Sequence, residues 1–244
     1  MFARCCWTRF YIRQGIKLHG KARAACPCCG WIGYDFYPLD VTTFMVPRVF
    51  CPNCNCQERH RMLHLYLRRK EPALLTMKGR VLHFAPESYV RDIFVSKRGS
   101  TWVSTDVASH VIAHLPGQKF AADIQRLPLK DETFDCILCL HVLEHVAADR
   151  MAVHELYRVL KQDGVALIMV PFITGSPKSE DWNEPDPQWF GHYRTYSVQD
   201  FKERLAPFHY DEVLPSAFLS DEEARRYGIP TDSQILYRCT KRRL

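Results

Sequence analysis

From Arg80 onward, short apolar runs alternate with amphipathic stretches, and that alternation leaves few folds open to the chain. Runs 80–85, 102–106, 120–123, 134–140 and 165–171 read as strands, with helices at 87–96 and 150–161 between them. Two later runs, 210–215 and 234–240, complete a set of seven strands. Strands separated by helices cannot pair as hairpins, so the pattern predicts an α/β fold whose parallel sheet is covered on both faces. At 244 residues the chain is long enough for one such core and a small appended module.

The appended module is marked by cysteine. Cys26-Pro-Cys-Cys29-Gly and Cys51-Pro-Asn-Cys54 are two Cys-x2-Cys turns. Two thiolates three positions apart in a tight turn can grip one tetrahedral Zn²⁺, and a second such turn completes the shell. The expectation is a structural, zinc-ribbon-like site at Cys26, Cys29, Cys51 and Cys54, with no open coordination position. Cys28, Cys56 and His60 stand close enough in sequence to replace a nominal ligand. A stretch of this size has too little core to fold without such a staple. Cys136 and Cys139 alternate into the apolar run 134–140 and read as core. The domain reading is thus a basic arm or helix over 1–24, a zinc-binding module over 25–70 and an α/β domain over 71–244. In 57–70, Met62, Leu63, Tyr66 and Leu67 share a helical face, and Pro72 follows the basic helix end.

The most specific signal runs from Asp123-Ile-Gln-Arg-Leu-Pro-Leu-Lys-Asp-Glu-Thr-Phe-Asp135 through His141-Val-Leu-Glu-His145-Val to Glu155-Leu-Tyr-Arg-Val-Leu-Lys-Gln-Asp-Gly164. It resembles the class I S-adenosylmethionine-dependent methyltransferases of the type 11 group. The resemblance implies a seven-stranded Rossmann-like sheet with the cofactor across the strands' carboxyl ends. It also implies residue roles. Asp106 would accept hydrogen bonds from the ribose, with Val107 beside it. Asp123 and the Ile124 amide would meet the adenine, and His141 would face the methionine side. The family's glycine-rich first loop is replaced by Val81-Leu-His-Phe-Ala-Pro-Glu87, which puts Phe84, Ala85, Pro86 and Glu87 where the carboxypropyl tail is held. That form, with the paired Cys-Pro-x-Cys turns and Arg59-His60-Arg61, is similar to a bacterial subgroup. The likeness extends to Glu180-Asp181 and Phe190-Gly-His192-Tyr-Arg194-Thr-Tyr196. The segment 173–192 between them reads as an irregular substrate loop.

His141, Glu144 and His145 fall at i, i+3 and i+4, which is similar to the Glu-x2-Glu-His that binds a divalent cation in ubiquinone-pathway and small-RNA O-methyltransferases, with a histidine here in place of the first acid; packing and capping alone can also account for it. His141 and His192 are the candidate general bases for an acceptor hydroxyl. The expected function is methyl transfer from S-adenosylmethionine to oxygen or nitrogen of a small-molecule or glycan acceptor. Two other readings stay open. The first 80 residues hold 14 Lys and Arg against 4 Asp and Glu, within a chain of net charge +6, so a basic zinc module could serve an RNA methyltransferase. Alternatively, the altered first loop could belong to a scaffold that no longer holds cofactor. Neither a secretory signal nor a run of the roughly 20 apolar residues a membrane span needs is visible, so the expectation is a cytoplasmic protein with reduced cysteines.

Overall fold

The computed structural model describes residues 12, 20–40, 45–95 and 100–242. The expected arm 1–24 lies outside the described residues except for 12 and 20–24, as do Cys5 and Cys6. Among the described residues no helix is long and apolar enough to cross a membrane. The chain forms two compact units, Met1–Pro72 with Leu214–Gln234, and Ala73–Val213 with Ile235–Leu244. The sequence reading kept 71–244 together; the structure assigns Leu214–Gln234 to the first unit instead.

In the first unit, β1 (Ala24–Ala25) pairs antiparallel with β2 (Ile32–Gly33), and β3 (Tyr37–Asp40) with β4 (Met45–Phe50). The two cysteine turns share one backbone form. Gly30 N–H donates to Cys26 O and Asn55 N–H to Cys51 O, and both donors sit in the left-handed region. Gly and Asn are the residues that tolerate it. Helix α1 (Glu58–Arg69) begins where Gln57 N–H donates to His60 Nδ1 at 3.1 Å, which commits His60 to the helix start.

Arg61 on α1 is 0 % exposed, and its guanidinium is spent on backbone oxygens. Nε donates to Tyr227 O, Nη1 to Val49 O and Cys56 O, and Nη2 to Arg48 O and Gly228 O. The Phe36 ring lies 3.9 Å below it. This ties the end of the helix Asp221–Tyr227 to β4 and the second cysteine turn. Gly228 makes the approach possible, because a Cβ there would fall 2.5 Å from Phe36 and 3.2 Å from Arg61 Nη2.

The second unit is the expected sheet. In chain order it comprises β5 (Arg80–Phe84), α2 (Ser88–Val95), β6 (Thr101–Asp106), α3 (Ser109–Ile112), β7 (Gln118–Ala121) and β8 (Phe134–Leu140). Then follow α4 (Asp149–Val159), β9 (Leu160–Met169), β10 (Glu180–Asp186), β11 (His192–Thr195), α5 (Val198–Arg204) and β12 (Phe208–Val213). After the excursion into the first unit, with α6 (Asp221–Tyr227), the chain returns as β13 (Leu236–Lys241). The sheet order is β12-β13-β9-β8-β5-β6-β7, with β13 antiparallel to both neighbours. Cys136, Ile137, Leu138 and Cys139 are fully buried, as a continuous apolar run in a strand covered on both faces must be.

Two elements depart from expectation. β9 starts at Leu160, five residues early, because Leu160 pairs with Phe134 across a bulge. The segment read as irregular contains a strand, β10, which pairs with β11 just beyond it. It escaped notice because an acidic, Pro- and Trp-bearing strand shows no apolar alternation; cross-strand Asp181 and Arg194 hold it instead.

Replacing Arg61 with Ala leaves five buried carbonyls short of a donor. The expected loss is roughly 3–5 kcal/mol of stability in denaturant unfolding, with Arg61→Lys nearly as costly because it lacks the fork. A loss below 1 kcal/mol would mean that the carbonyls find other partners.

Candidate functional site

The strand order reverses between the parallel neighbours β5 and β8, and a cavity of about 380 Å³ opens at the carboxyl ends of the strands there. Phe84 and Ala85 follow β5, Thr105, Asp106 and Val107 follow β6, and Ala122, Asp123, Ile124 and Gln125 follow β7. From beyond β8 come His141, Val142, His145, Val146 and Ala147, and from β11 comes Tyr193. Seven of the nine residues expected at a cofactor therefore line one cavity. Pro86 and Glu87 do not; Glu87 O accepts from Arg91 N–H, so these two residues open α2.

Ala85 has φ +44° and His141 φ +53°, left-handed values rare for residues with a Cβ. Both are pinned by backbone bonds, Ala85 N–H to Thr105 O and His141 N–H to Met169 O. Strained residues at the ends of adjacent strands are a mark of a working site. The missing glycine is thus answered by the smallest side chain held in the glycine conformation. Asp106 Oδ1 accepts from Ala108 N–H at 2.9 Å, which fixes the carboxylate at the cavity. Asp123 Oδ1 accepts from Gln125 N–H, and the Gln125 amide bonds both Asp123 oxygens while accepting from Ala148 N–H. Val107 is 76 % exposed and Ile124 buried, so the cavity pairs two acids with an apolar wall.

A second cluster stands at the cavity edge. The Glu144 carboxylate is 1 % exposed, with His141 Nδ1 at 3.6 Å and His145 Nε2 at 4.0 Å. His145 Nδ1 lies 3.3 Å from Gly191 O, and the His145 and His192 rings meet edge-on at 4.6 Å. His192 therefore joins the cluster without lining the cavity. Burial lowers the His145 pKa, and burial with the neighbouring His145 takes His192 down to about 4.

Arg194 brings the hairpin to this place. Its guanidinium donates to the carbonyls of Leu143, Val146 and Ala147, three residues of the turn after β8, and to Asp181. Buried Asp149 accepts from Tyr196 Oη at 2.7 Å and Arg204 Nε at 2.6 Å, and Arg204 also meets Asp181. Nothing in the sequence marks Val142, Val146 or Ala147 as residues of a site. Small apolar residues carry no chemical signature, and this network is what delivers them.

The cysteines converge as well. Cys26, Cys51, Cys54 and Cys56 have sulfurs all within 4.8 Å of one another, which puts Cys56 where Cys29 was expected. Cys29 Sγ is nevertheless 3.7 Å from Cys51 Sγ, and Cys26 Sγ is 3.8 Å from Cys54 Sγ. Four sulfurs at about 2.3 Å from zinc stand roughly 3.8 Å apart, so these two distances fit, while Cys26–Cys56 at 3.4 Å is short. Hydrogen bonds from Cys28, Cys51 and Cys56 lower the Cys26 thiol, and the hydrogen bond with Cys26, together with burial, pushes Cys51 up to about 12. Only a cation would let all of them ionise together.

Residues 87–168 match the family model described as a methyltransferase domain. Over 88 residues the chain is 38% identical to an uncharacterized protein of Methanocaldococcus jannaschii, covering 36% of this chain and 37% of that one. The chain thus spans little over a third of that relative. Among solved structures, a SAM-dependent methyltransferase from Archaeoglobus fulgidus aligns with TM-score 0.53 at 12% identity, over 75% of this chain and 94% of its own. An S-adenosylmethionine-dependent methyltransferase from Mesorhizobium loti aligns with TM-score 0.52 at 13% identity, over 71% and 97%. The architecture is that of the Rossmann-like methyltransferases. Asp106, Asp123 and His141 lie within the residues that match the methyltransferase-domain model.

The lowered histidines set an acid limit. In the folded chain they hold protons less tightly than the ordinary value of 6.5, so stability is full above that value and falls as pH drops toward 4. Solvent screening reduces the His192 share to roughly 1–2 kcal/mol. Unfolding at pH 7.5 and 5 should show that His192→Gln loses less stability than wild type over this interval. Equal losses would remove His192 from the account.

Proposed function

We propose that the chain transfers a methyl group from S-adenosylmethionine to a small-molecule or glycan acceptor. The observation that carries this reading is the cavity at the strand-order reversal, where Asp106 and Asp123 stand on successive strand ends inside the matched methyltransferase domain. When bound, the cofactor supplies an electrophilic methyl on a sulfonium. Asp106 accepts the ribose hydroxyls, which a carboxylate can do twice over. The adenine packs against Val107 and Ile124, with Asp123 and the Ile124 amide at its polar edge. Ala85, in its left-handed turn, lets the β5 loop approach the methionine tail. His141 at the end of β8 faces the reacting end and takes the acceptor proton, with the Glu144 carboxylate 3.6 Å behind the ring to stabilise the imidazolium. His192 was an equal candidate for the base. Its pKa near 4 keeps it neutral and weakly basic, which suits a positioning role better. Positioning supplies most of the rate in such an in-line displacement.

Calorimetric titration tests the reading. Wild type should bind S-adenosylmethionine, and Asp106→Ala should weaken binding about ten- to a hundredfold, the worth of a hydrogen-bond pair to a charged group. No heat with wild type would end the enzyme reading, whereas an unchanged Asp106→Ala would move the ribose elsewhere.

Zinc in the cysteine cluster belongs to the same proposal. The matching backbone of the two turns and the 3.7 and 3.8 Å sulfur distances favour Cys26, Cys29, Cys51 and Cys54 as ligands. Metal analysis should find one zinc per chain, lost in Cys26→Ala/Cys29→Ala and kept in Cys56→Ser. The opposite pattern would hand the fourth position to Cys56.

A further inference from the structure

The Gln125 side chain spans two parts of the cavity wall, and both of its polar atoms are engaged. We propose that Gln125 is the positioning residue for the cofactor's purine: it fixes the Asp123 carboxylate so that the pair accepts a hydrogen bond and donates none, which selects a 6-amino purine over a 6-oxo purine. The proposal rests on the methyl-transfer reading, in which Asp123 meets the adenine.

The orientation of the amide follows from its neighbours. Ala148, the residue before α4, donates its backbone N–H to Gln125 Oε1 at 2.9 Å, and a backbone N–H can only donate. On the other side the Asp123 carboxylate can only accept, so Nε2 must face it. Nε2 lies 3.0 Å from Oδ1 and 3.0 Å from Oδ2, one amide proton for each oxygen. The Gln125 backbone N–H takes Oδ1 as well, at 2.9 Å. Of the roughly four acceptor positions on a carboxylate, these described bonds fill all but one, and the position left is on Oδ2.

A 6-amino purine has the complementary pattern. Its exocyclic N–H donates to Oδ2 while its N1 accepts from the Ile124 amide. A 6-oxo purine reverses both, setting an oxygen against the carboxylate and an N–H against the Ile124 N–H, so that each polar group loses its partner. Other side chains at this position would not preserve the edge. Glutamate sets a second carboxylate against the first, and lysine adds a donor that suits a 6-oxo group. Gln125 also ties the Asp123 end of the cavity to the start of α4, directly after the turn whose carbonyls Arg194 holds. One side chain thus links the purine site to that turn.

Calorimetric titration of the full chain with S-adenosylhomocysteine and with S-inosylhomocysteine, its 6-oxo counterpart, tests the proposal. Wild type should prefer the 6-amino compound by about a hundredfold, the loss expected when two hydrogen bonds are unmade and their groups left unpaired. Gln125→Met keeps the length and removes the hydrogen bonds. It should weaken S-adenosylhomocysteine about tenfold, change S-inosylhomocysteine less, and so cut the preference severalfold. A residue that only supported the fold would weaken both compounds by one factor, and a preference left intact in the variant would overturn the proposal. Equal affinity of wild type for the two compounds would overturn it without any variant. Should thermal melting show that Gln125→Met does not fold, Gln125→Glu, which can still accept from Ala148 N–H, carries the same expectation. No heat from wild type with either compound would end the methyl-transfer reading and this one with it, whereas wild-type preference in the variants would remove Gln125 alone.

Discussion

A parallel sheet whose strand order reverses must leave a gap, because the connections from the two central strands leave to opposite sides. In this protein the gap lies between β5 and β8, and everything with a chemical character in the second unit is arranged around it. Two left-handed residues, Ala85 and His141, stand immediately past the ends of those two strands. Each turns the backbone out of the sheet at once and holds a peptide group against the crevice rather than over it. The acids follow on the next strands outward, Asp106 at the end of β6 and Asp123 two residues past the end of β7, so a molecule lying across the sheet meets them in order.

The crevice has a floor from the sheet but needs a wall, and the wall depends on buried charge. Arg194 binds three carbonyls of the turn after β8, Asp149 binds Tyr196 and Arg204, and Asp181 bridges the two arginines. A buried guanidinium is tolerable only when its donors are satisfied, and this one is satisfied by the very turn that lines the cavity. The hairpin and the turn are therefore positioned as one body, carrying Tyr193 into the cavity and His192 against His145. Had apolar contacts done this work the turn could slide; three directed bonds from Arg194 fix its register.

The first unit solves a different problem by the same physics. It has short strands and a modest core, and it relies on directed bonds. The sulfurs gather the two cysteine turns, and Arg61 gathers β4, the second turn and the end of α6 through five carbonyls. Leu214–Gln234 joins this unit because two of those carbonyls, on Tyr227 and Gly228, are its own. A boundary drawn on pattern alone could not see it, since the segment follows β12 without any shift in composition.

Periodicity alone determined the sheet. Short continuous apolar runs in 80–85, 102–106 and 134–140 leave those residues nowhere to go but an inner strand covered on both faces, and seven strands form at or near the runs that mark them. Cysteine spacing likewise marked the two turns, because only a tight turn lets thiols three apart converge. The likeness of 123–164 to known methyltransferases brought Asp106, Asp123, Ile124 and His141 to the cavity. What the sequence withheld is whatever depends on residues far apart in the chain. The acidic strand β10 has no apolar signature and exists because Arg194 faces Asp181. Val146 and Ala147 line the cavity because a guanidinium holds their carbonyls, and carbonyls belong to every residue alike. His192 meets His145 across 46 intervening residues, a proximity set by one salt-bridged hairpin and written in no local pattern.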